Sequence, residues 1–562
     1  MEVSTVLEQF YPSTERALFV NRQAELARLA YCRDRLQEGR PQAANLALFG
    51  LRRIGKTMLL KEFMAHTLET CPQVVPVYLD LEHACSAPEA FALGLIGAVC
   101  YWFGRRGEGS PRRFLAFDTL LLEAAALPAN TIREHLEILQ REWRAATRNR
   151  PFLLDLALGF AEELAAETGL YFILVLDEFQ AIETLTHYRE TRNALALVRT
   201  SLQRQARVAY FLAGSAISVM TRLVSNAQSP LFVQLDKLPL TYLGHDDVAE
   251  LAAKLSPDLD APDVVARINR LTQGHPFYVT RVCERIVQLH RLQNLPLDVE
   301  TVNLAFLAEV LSPQGHIYDF CKYIYELSLQ RARGYGSLQA ILEVLSDEPV
   351  LSAAELARRL RVSYSTIRGY LRWLLEVDLV METEGGYTFR DPVLRYWVAQ
   401  ATRGIEVDSF PRRQDVWDLV SHLDEQFQRS STELGRAKES QIGELLRRFA
   451  GQRVSGALFG RSEEVTLPAF VTVAPYCSPD GQIEVDVLAE GDERWAVEVK
   501  WRGKVAGEKE LTALLQKART LDARPWFISR DGFTPAAQAY AAAHDILISS
   551  RADVEELEQY LV

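Results

Sequence analysis

One octapeptide restricts this chain more than any other feature. Gly50-Leu51-Arg52-Arg53-Ile54-Gly55-Lys56-Thr57 fits GxxxxGK[ST] without a mismatch. It follows the apolar run Asn45–Phe49 and precedes Met58-Leu59-Leu60, so it reads as a turn between a buried strand and a helix. Gly50 and Gly55 let backbone N–H groups curl around a phosphate, and the helix N-terminus adds positive potential there. In this reading Lys56 neutralises phosphate oxygens and Thr57 holds Mg²⁺ through its hydroxyl. Arg53, Ile54 and Met58 complete the stretch that wraps the nucleotide, with ATP as the expected ligand.

Composition narrows the setting. A chain of 562 residues is too long for one core and implies several domains. With 48% hydrophobic and 24% charged residues it is a globular sequence, and its net charge of −12 argues against wholesale coating of nucleic acid while leaving local basic faces open. Seven cysteines, odd in number and without a CxxC pair, suggest reduced thiols. The longest apolar run, Phe91–Phe103, is too short to span a bilayer, and no leader-like segment opens the chain. A cytoplasmic protein with no membrane partner is expected.

Apolar β-type runs at Leu46–Phe49, Val74–Leu79, Phe172–Leu176 and Val208–Leu212 alternate with helical stretches, the pattern of a parallel α/β sheet. A helical insert is expected from Pro88 to Gly169. The expected domains are an α/β core over 1–245, a helical lid over 246–333, a winged helix over 334–400, a helical connector over 401–434 and a second α/β domain over 435–562.

Phe172-Ile173-Leu174-Val175-Leu176 ends in Asp177-Glu178. Beside a phosphate-binding loop, the first acid suits the Mg²⁺ water shell and the second suits orienting and deprotonating a water. Ser215, after the run Val208–Leu212 and Gly214, is a candidate γ-phosphate sensor. These elements join Phe19-Val20-Asn21-Arg22, the pair Arg52-Arg53, Asp177-Glu178-Phe179-Gln180 and Gly274-His275-Pro276-Phe277. Together, in that order, they resemble the archaeal-type ATPase family of the AAA+/STAND P-loop division over about residues 17–400. The resemblance implies ATP hydrolysis, with Val20, Arg22 and Pro276 near adenine under the lid. His275 has a second reading as an ordinary polar residue of a His-Pro helix start. The chain departs from the family after Ser229-Pro230-Leu231-Phe232, where Val233-Gln234 stands in place of Gly-Arg. Arg199, Arg204 and Arg222 are then equally candidate charge stabilisers and solvated surface residues. A core of this type is compatible with a homo-oligomer and with a monomer.

Ser352-Ala353-Ala354-Glu355 reads as a capping box, followed by a second helix with Ile367, Leu371 and Leu374 on one face and Arg368 and Arg372 on the other. A Gly385-Gly386 hairpin follows. Basic residues at i and i+4 on such a helix reach phosphates or guanine edges, making DNA the expected partner; packing between protein modules is the alternative.

Near the C-terminus, Ile483-Glu484-Val485-Asp486-Val487-Leu488 and Trp495-Ala496-Val497-Glu498-Val499-Lys500 read as a hairpin. Glu498 and Lys500 share a face, and pairing brings Asp486 beside them. Val485, Val487, Val497 and Val499 are expected on the buried face. Two carboxylates suit Mg²⁺, and a lysine suits activating water or steadying phosphate charge. The segment resembles the PD-(D/E)xK nuclease core, which implies Asp486 and Glu498 as metal ligands and Glu498 and Lys500 as catalytic residues. It also implies Glu439 as a metal-side residue of the preceding helix, with Gln516 on the next helix a weaker match. A fold kept only for binding DNA, within a nucleotide-switch regulator, is the alternative.

Overall fold

The computed structural model describes residues 8–105, 110–330, 335–348, 350–383, 385–478, 483–501 and 505–561, and of 105, 330, 424, 425, 428–440, 477, 484 and 559 only the backbone. The chain divides into two compact units, one holding the chain up to Thr241 with Glu376–Asp378, the other Tyr242–Leu375 with Leu379 onward.

The first unit is built on five strands: β1 (Leu46–Phe49), β2 (Val74–Asp80), β3 (Tyr171–Asp177), β4 (Val208–Gly214) and β5 (Asp236–Pro239). They form a parallel sheet in the order β2-β3-β4-β1-β5. β3 and β4 are almost continuously buried, as central parallel strands covered on both faces must be, and their apolar runs are correspondingly unbroken. β1 lies beside β4, so the turns after β1, β3 and β4 open at one sheet edge. The expected insert is helical: Pro88–Arg105, Phe117–Ala124, Asn130–Arg144 and Arg150–Thr168. The last starts on Asn149, whose side chain accepts from Phe152 N at 3.2 Å, and stops at Gly169 with φ 74°. This is the parallel sheet of a P-loop ATPase fold.

The second unit begins with helices His245–Leu255, Pro262–Thr272, Pro276–Gln293, Val299–Leu311 and His316–Gln330. A winged helix-turn-helix follows: helices Tyr335–Asp347, Ala353–Leu360 and Tyr364–Glu376, then the hairpin β6 (Val380–Thr383) and β7 (Gly386–Phe389). Ser352 does cap the second of these, accepting from Glu355 N at 3.2 Å. The reciprocal half of the expected box gives way to ion pairs, because Glu355 binds Arg358 at 2.6 Å and Arg359 at 2.8 Å.

The helix Trp417–Leu446 runs through position 435 without a break, so connector and C-terminal domain share one helix. The short pairs β8 (Arg453–Val454) and β9 (Val465–Thr466) precede β10 (Phe470–Cys477), β11 (Glu484–Gly491), β12 (Arg494–Lys500), β13 (Arg524–Ser529) and β14 (Leu547–Ser550). These last five form one sheet in sequential order, antiparallel through β12 and parallel beyond it. Trp495 and Trp526, both fully buried, anchor one face. Helix Glu508–Thr520 covers the other with Leu511, Leu514, Leu515 and Ala518. No described helix is long and apolar enough to cross a membrane.

Candidate functional site

The turn after β1 is set by backbone geometry. At Gly50 a Cβ would lie 2.5 Å from the Leu240 carbonyl oxygen, so only glycine fits. Arg53 and Gly55 take φ of 60° and 100°, curling the loop into helix Lys56–Thr70. Ile54 is buried beneath it, and Met58 is half-buried on the first helical turn. Lys56 is only 5% exposed, and its Nζ donates to the carbonyls of Gly50 and Leu51 at 2.9 Å each. Burial pulls its pKa down to about 8, opposed by the nearby Glu178 and Asp177.

Thr57 Oγ1 donates to Asp177 Oδ2 at 2.8 Å, and Tyr78 from β2 donates to the same oxygen at 3.0 Å. A hydroxyl and a carboxylate brought together beside this loop are a donor set suited to Mg²⁺. Glu178 stands just past β3 at φ 50°. Its Oε2 accepts from Ser215 Oγ at 2.7 Å and from Gln180 Nε2. Ser215 therefore meets the second acid of the motif, and Gln180, which carried no assigned role in the sequence, completes the clamp.

Val20 is buried, and Arg22, itself at φ 63°, donates to Glu25 Oε1 at 3.0 Å and to the Thr241 carbonyl at 2.6 Å. Its guanidinium thus fastens the opening motif to the chain beyond β5. In the second unit Gly274 packs on the Leu243 carbonyl, 2.2 Å from where a Cβ would be. His275 is buried and stacks on Tyr278 with ring centroids 4.3 Å apart, while Pro276 opens its helix. Arg222 pairs with Glu183 at 2.9 Å, and Arg199 and Arg204 are exposed.

On helix Tyr364–Glu376, Ile367, Leu371 and Leu374 are buried and Arg368 and Arg372 exposed. Arg368 Nη1 lies 3.5 Å from Tyr387 Oη on the wing, and Tyr387 in turn donates to Glu382 at 2.8 Å.

In the C-terminal sheet the β11–β12 register ends with Val487 facing Val497, and Asp486 and Glu498 are the next residues on their strands. Lys500 Nζ is 2.5 Å from Glu498 Oε1 and 3.7 Å from Asp486 Oδ2. The same Asp486 oxygen accepts from Val499 N at 2.6 Å. Burial, reinforced by Glu498, raises the Asp486 pKa above the usual carboxylate range. An ammonium lodged between two carboxylates marks a cation position, and the oxygen donors suit a hard divalent ion.

β11 also carries a bulge against β10. Ala474 pairs with Leu488 but Tyr476 with Val485, so one extra residue lies on β11 between those pairs. The bulge turns Val485 to the opposite face from Val487, Val497 and Val499, which corrects the expected single valine face. Asp486 shares the face of Glu498 and Lys500.

Glu439 lies among the side chains outside the described residues. Gln516 is exposed, and its neighbour Lys517 reaches the cluster instead, 3.1 Å from Glu498 Oε2. Among the described residues no three His, Cys, Asp or Glu side chains converge, and the carboxylate pair stands with Lys500 and Lys517.

Residues 470–557 match the restriction endonuclease family of the Mrr catalytic type, and residues 337–381 match the winged helix-turn-helix DNA-binding family. The chain therefore joins a P-loop ATPase fold to a winged helix and a restriction-endonuclease-type domain. No curated protein matches it. Among solved structures it is similar to the Walker-type ATPase of Pyrococcus abyssi, at 17% identity over 68% of this chain and 96% of that one, with a TM-score of 0.47. It is also similar to the ORC2 protein of Aeropyrum pernix (15%, 72% and 94%, TM-score 0.40). The ORC1 protein of the same organism, solved with DNA, gives 15%, 69% and 95% with a TM-score of 0.34.

Proposed function

We propose that this chain binds and hydrolyses ATP and uses a metal-dependent nuclease domain to cut DNA, with the winged helix as its grip. The observation that carries the reading is the convergence of Asp486, Glu498 and Lys500 on a bulged hairpin within a segment that matches a restriction endonuclease family.

At the nucleotide site Lys56 turns from its loop carbonyls to the phosphates of ATP. Glu178, once released by Ser215 and Gln180, orients a water and takes its proton. Thr57 and Asp177 would hold Mg²⁺ there, and Asp486 and Glu498 would hold Mg²⁺ or Mn²⁺ in the second site. When bound, the ion supplies positive charge against phosphate oxygens. Lys500 carries its ammonium to the scissile phosphate or the attacking water. Arg368 and Arg372 contact the DNA backbone.

Three contacts within the second unit support coupling between these parts. Arg530, next after β13, donates to the Gln273 carbonyl at 3.3 Å, and Arg551 to the Tyr242 carbonyl at 2.7 Å. Tyr278 donates to Asp391, the cap of the helix that leaves the wing, at 2.5 Å. The turn at Gly274–Pro276 is thereby tied to nuclease and winged helix alike.

One feature favours a second reading. Glu178 is clamped by two donors, which suits a slow nucleotide switch whose C-terminal domain binds DNA without cutting it. The deciding experiment is incubation of plasmid, linear and single-stranded DNA with Mg²⁺ or Mn²⁺, with and without ATP, beside Lys500→Ala. Cleavage that disappears in the variant supports the nuclease. DNA and ATP binding without cleavage of any substrate refutes it in favour of the switch.

A further inference from the structure

Glu498 has one negative charge and two cationic claimants. Lys500, from its own strand, holds Oε1 at 2.5 Å, and Lys517, from helix Glu508–Thr520, holds Oε2 at 3.1 Å. The two lysines are not equivalent. Lys500 Nζ lies between both carboxylates and so would compete with a divalent ion that Asp486 and Glu498 would hold. Lys517 touches only the far oxygen of Glu498 and has no such conflict. Its position is rigid at the base: Leu514, Leu515 and Ala518 around it are buried against the sheet face that carries Glu498. Both lysine side chains remain about a third open to solvent, at 28% and 30%, so each has room to respond to an approaching phosphate.

We infer that Lys517 is a positioning residue of the nuclease site: the standing counter-ion of Glu498 that aims Oε1 at the metal and releases Lys500 for chemistry. This rests on the nuclease reading above. With Lys517 in place, Glu498 keeps a counter-ion on its far oxygen, and Lys500 would be free to leave the carboxylates for the phosphate when an ion is held there. Without it the site, one positive charge poorer, attracts a free divalent ion more strongly, while Glu498 Oε2 has lost its counter-ion and competes with the phosphate for the Lys500 ammonium.

The two consequences run in opposite directions, which separates this role from a surface ion pair. In the full chain, Lys517→Met should bind Mn²⁺ about fivefold or more tightly in calorimetry without DNA. At saturating Mn²⁺ it should cut supercoiled plasmid at least about tenfold more slowly. Lys517→Arg keeps the charge and should restore wild-type Mn²⁺ affinity and most of the cleavage rate. An unchanged thermal midpoint for Lys517→Met confirms that the fold is intact; if the midpoint falls, Lys517→Arg alone decides, and loss of cleavage there overturns the inference. Equal Mn²⁺ affinity and equal cleavage in wild type and Lys517→Met also overturn it. A wild-type chain that neither binds Mn²⁺ nor cuts DNA overturns the nuclease reading instead.

Discussion

Replacing Lys56 by methionine tests the nucleotide site through two quantities that move independently. The lysine keeps a buried ammonium whose pKa is drawn from 10.5 to about 8, a cost of about 3 kcal/mol to the empty protein at neutral pH. Methionine removes that cost but leaves the carbonyls of Gly50 and Leu51 without their donor, at about 1–3 kcal/mol each. The two effects nearly cancel, so the thermal midpoint without nucleotide should move by no more than a few degrees. ATP binding has no such compensation. Losing two charge-assisted bonds to phosphate, about 1.5–3 kcal/mol each, weakens it by on the order of 10²–10⁴-fold. The sign of the pH response follows from the same shift. The folded pKa lies below the unfolded one, so the native state sheds the proton first, and the stability of the empty protein rises between pH about 8 and 10.5. Mg·ATP affinity should fall over the same range, since the phosphates need the ammonium. Scanning calorimetry at several pH values and titration with Mg·ATP measure both. A loss of more than about 5 °C in the empty variant, or ATP affinity within about threefold of wild type, refutes the reasoning.

Glu178→Gln should retain Mg·ATP affinity and lose turnover by about 10²-fold or more, read as phosphate release; normal release removes Glu178 from the role of base. Arg368→Ala with Arg372→Ala should weaken DNA binding and lower the slope of log K against log salt by up to about 2, and an unchanged slope assigns this helix to packing. Val233→Gly should stabilise the chain by about 1 kcal/mol, because a β-branched residue there holds φ 58° while 74% exposed; an equal or lower thermal midpoint contradicts the strain.

The legible parts of this molecule are those where one local rule decides the outcome. β3 and β4 are continuous apolar runs because both faces of a central parallel strand are covered. The loop at Gly50–Thr57 is legible because its glycines answer to its own backbone and the Leu240 carbonyl. β5 escaped notice because Asp236-Lys237-Leu238-Pro239 has neither alternation nor an apolar run. It is an edge strand held by pairing to β1, where proline is tolerated. β14 was hidden for a related reason: Leu547-Ile548-Ser549-Ser550 reads as a strand only once Trp526 Nε1 donates to Ser549 Oγ at 2.9 Å and Ser549 donates to the Leu458 carbonyl at 2.6 Å. The pairing of Asp486 with Glu498 and Lys500 was readable by counting. The bulge against β10 was not, and with it went the face of Val485, since a register shift belongs to two strands at once. Lys517 lies 17 residues beyond Lys500 on another element, and only the packing of its helix makes it a neighbour.

The two candidate sites share one electrostatic arrangement. In each, the lysine proposed for the chemistry is already held by its own surroundings: Lys56 by the Gly50 and Leu51 carbonyls, Lys500 by Glu498 and Asp486. In each, an acid is held by donors from neighbouring elements, Glu178 by Ser215 and Gln180, Glu498 by Lys517. A phosphate or a divalent ion must therefore exchange one set of satisfied contacts for another, and the net gain is a small difference between two large terms. Small changes in geometry then move occupancy strongly. The ties from the Gly274–Pro276 region to the C-terminal domain and the winged helix run through hydrogen bonds of Arg530 and Tyr278, which link these elements directly. On the proposed function, nucleotide and divalent ion would each act by shifting a balance in which a lysine already has its partners.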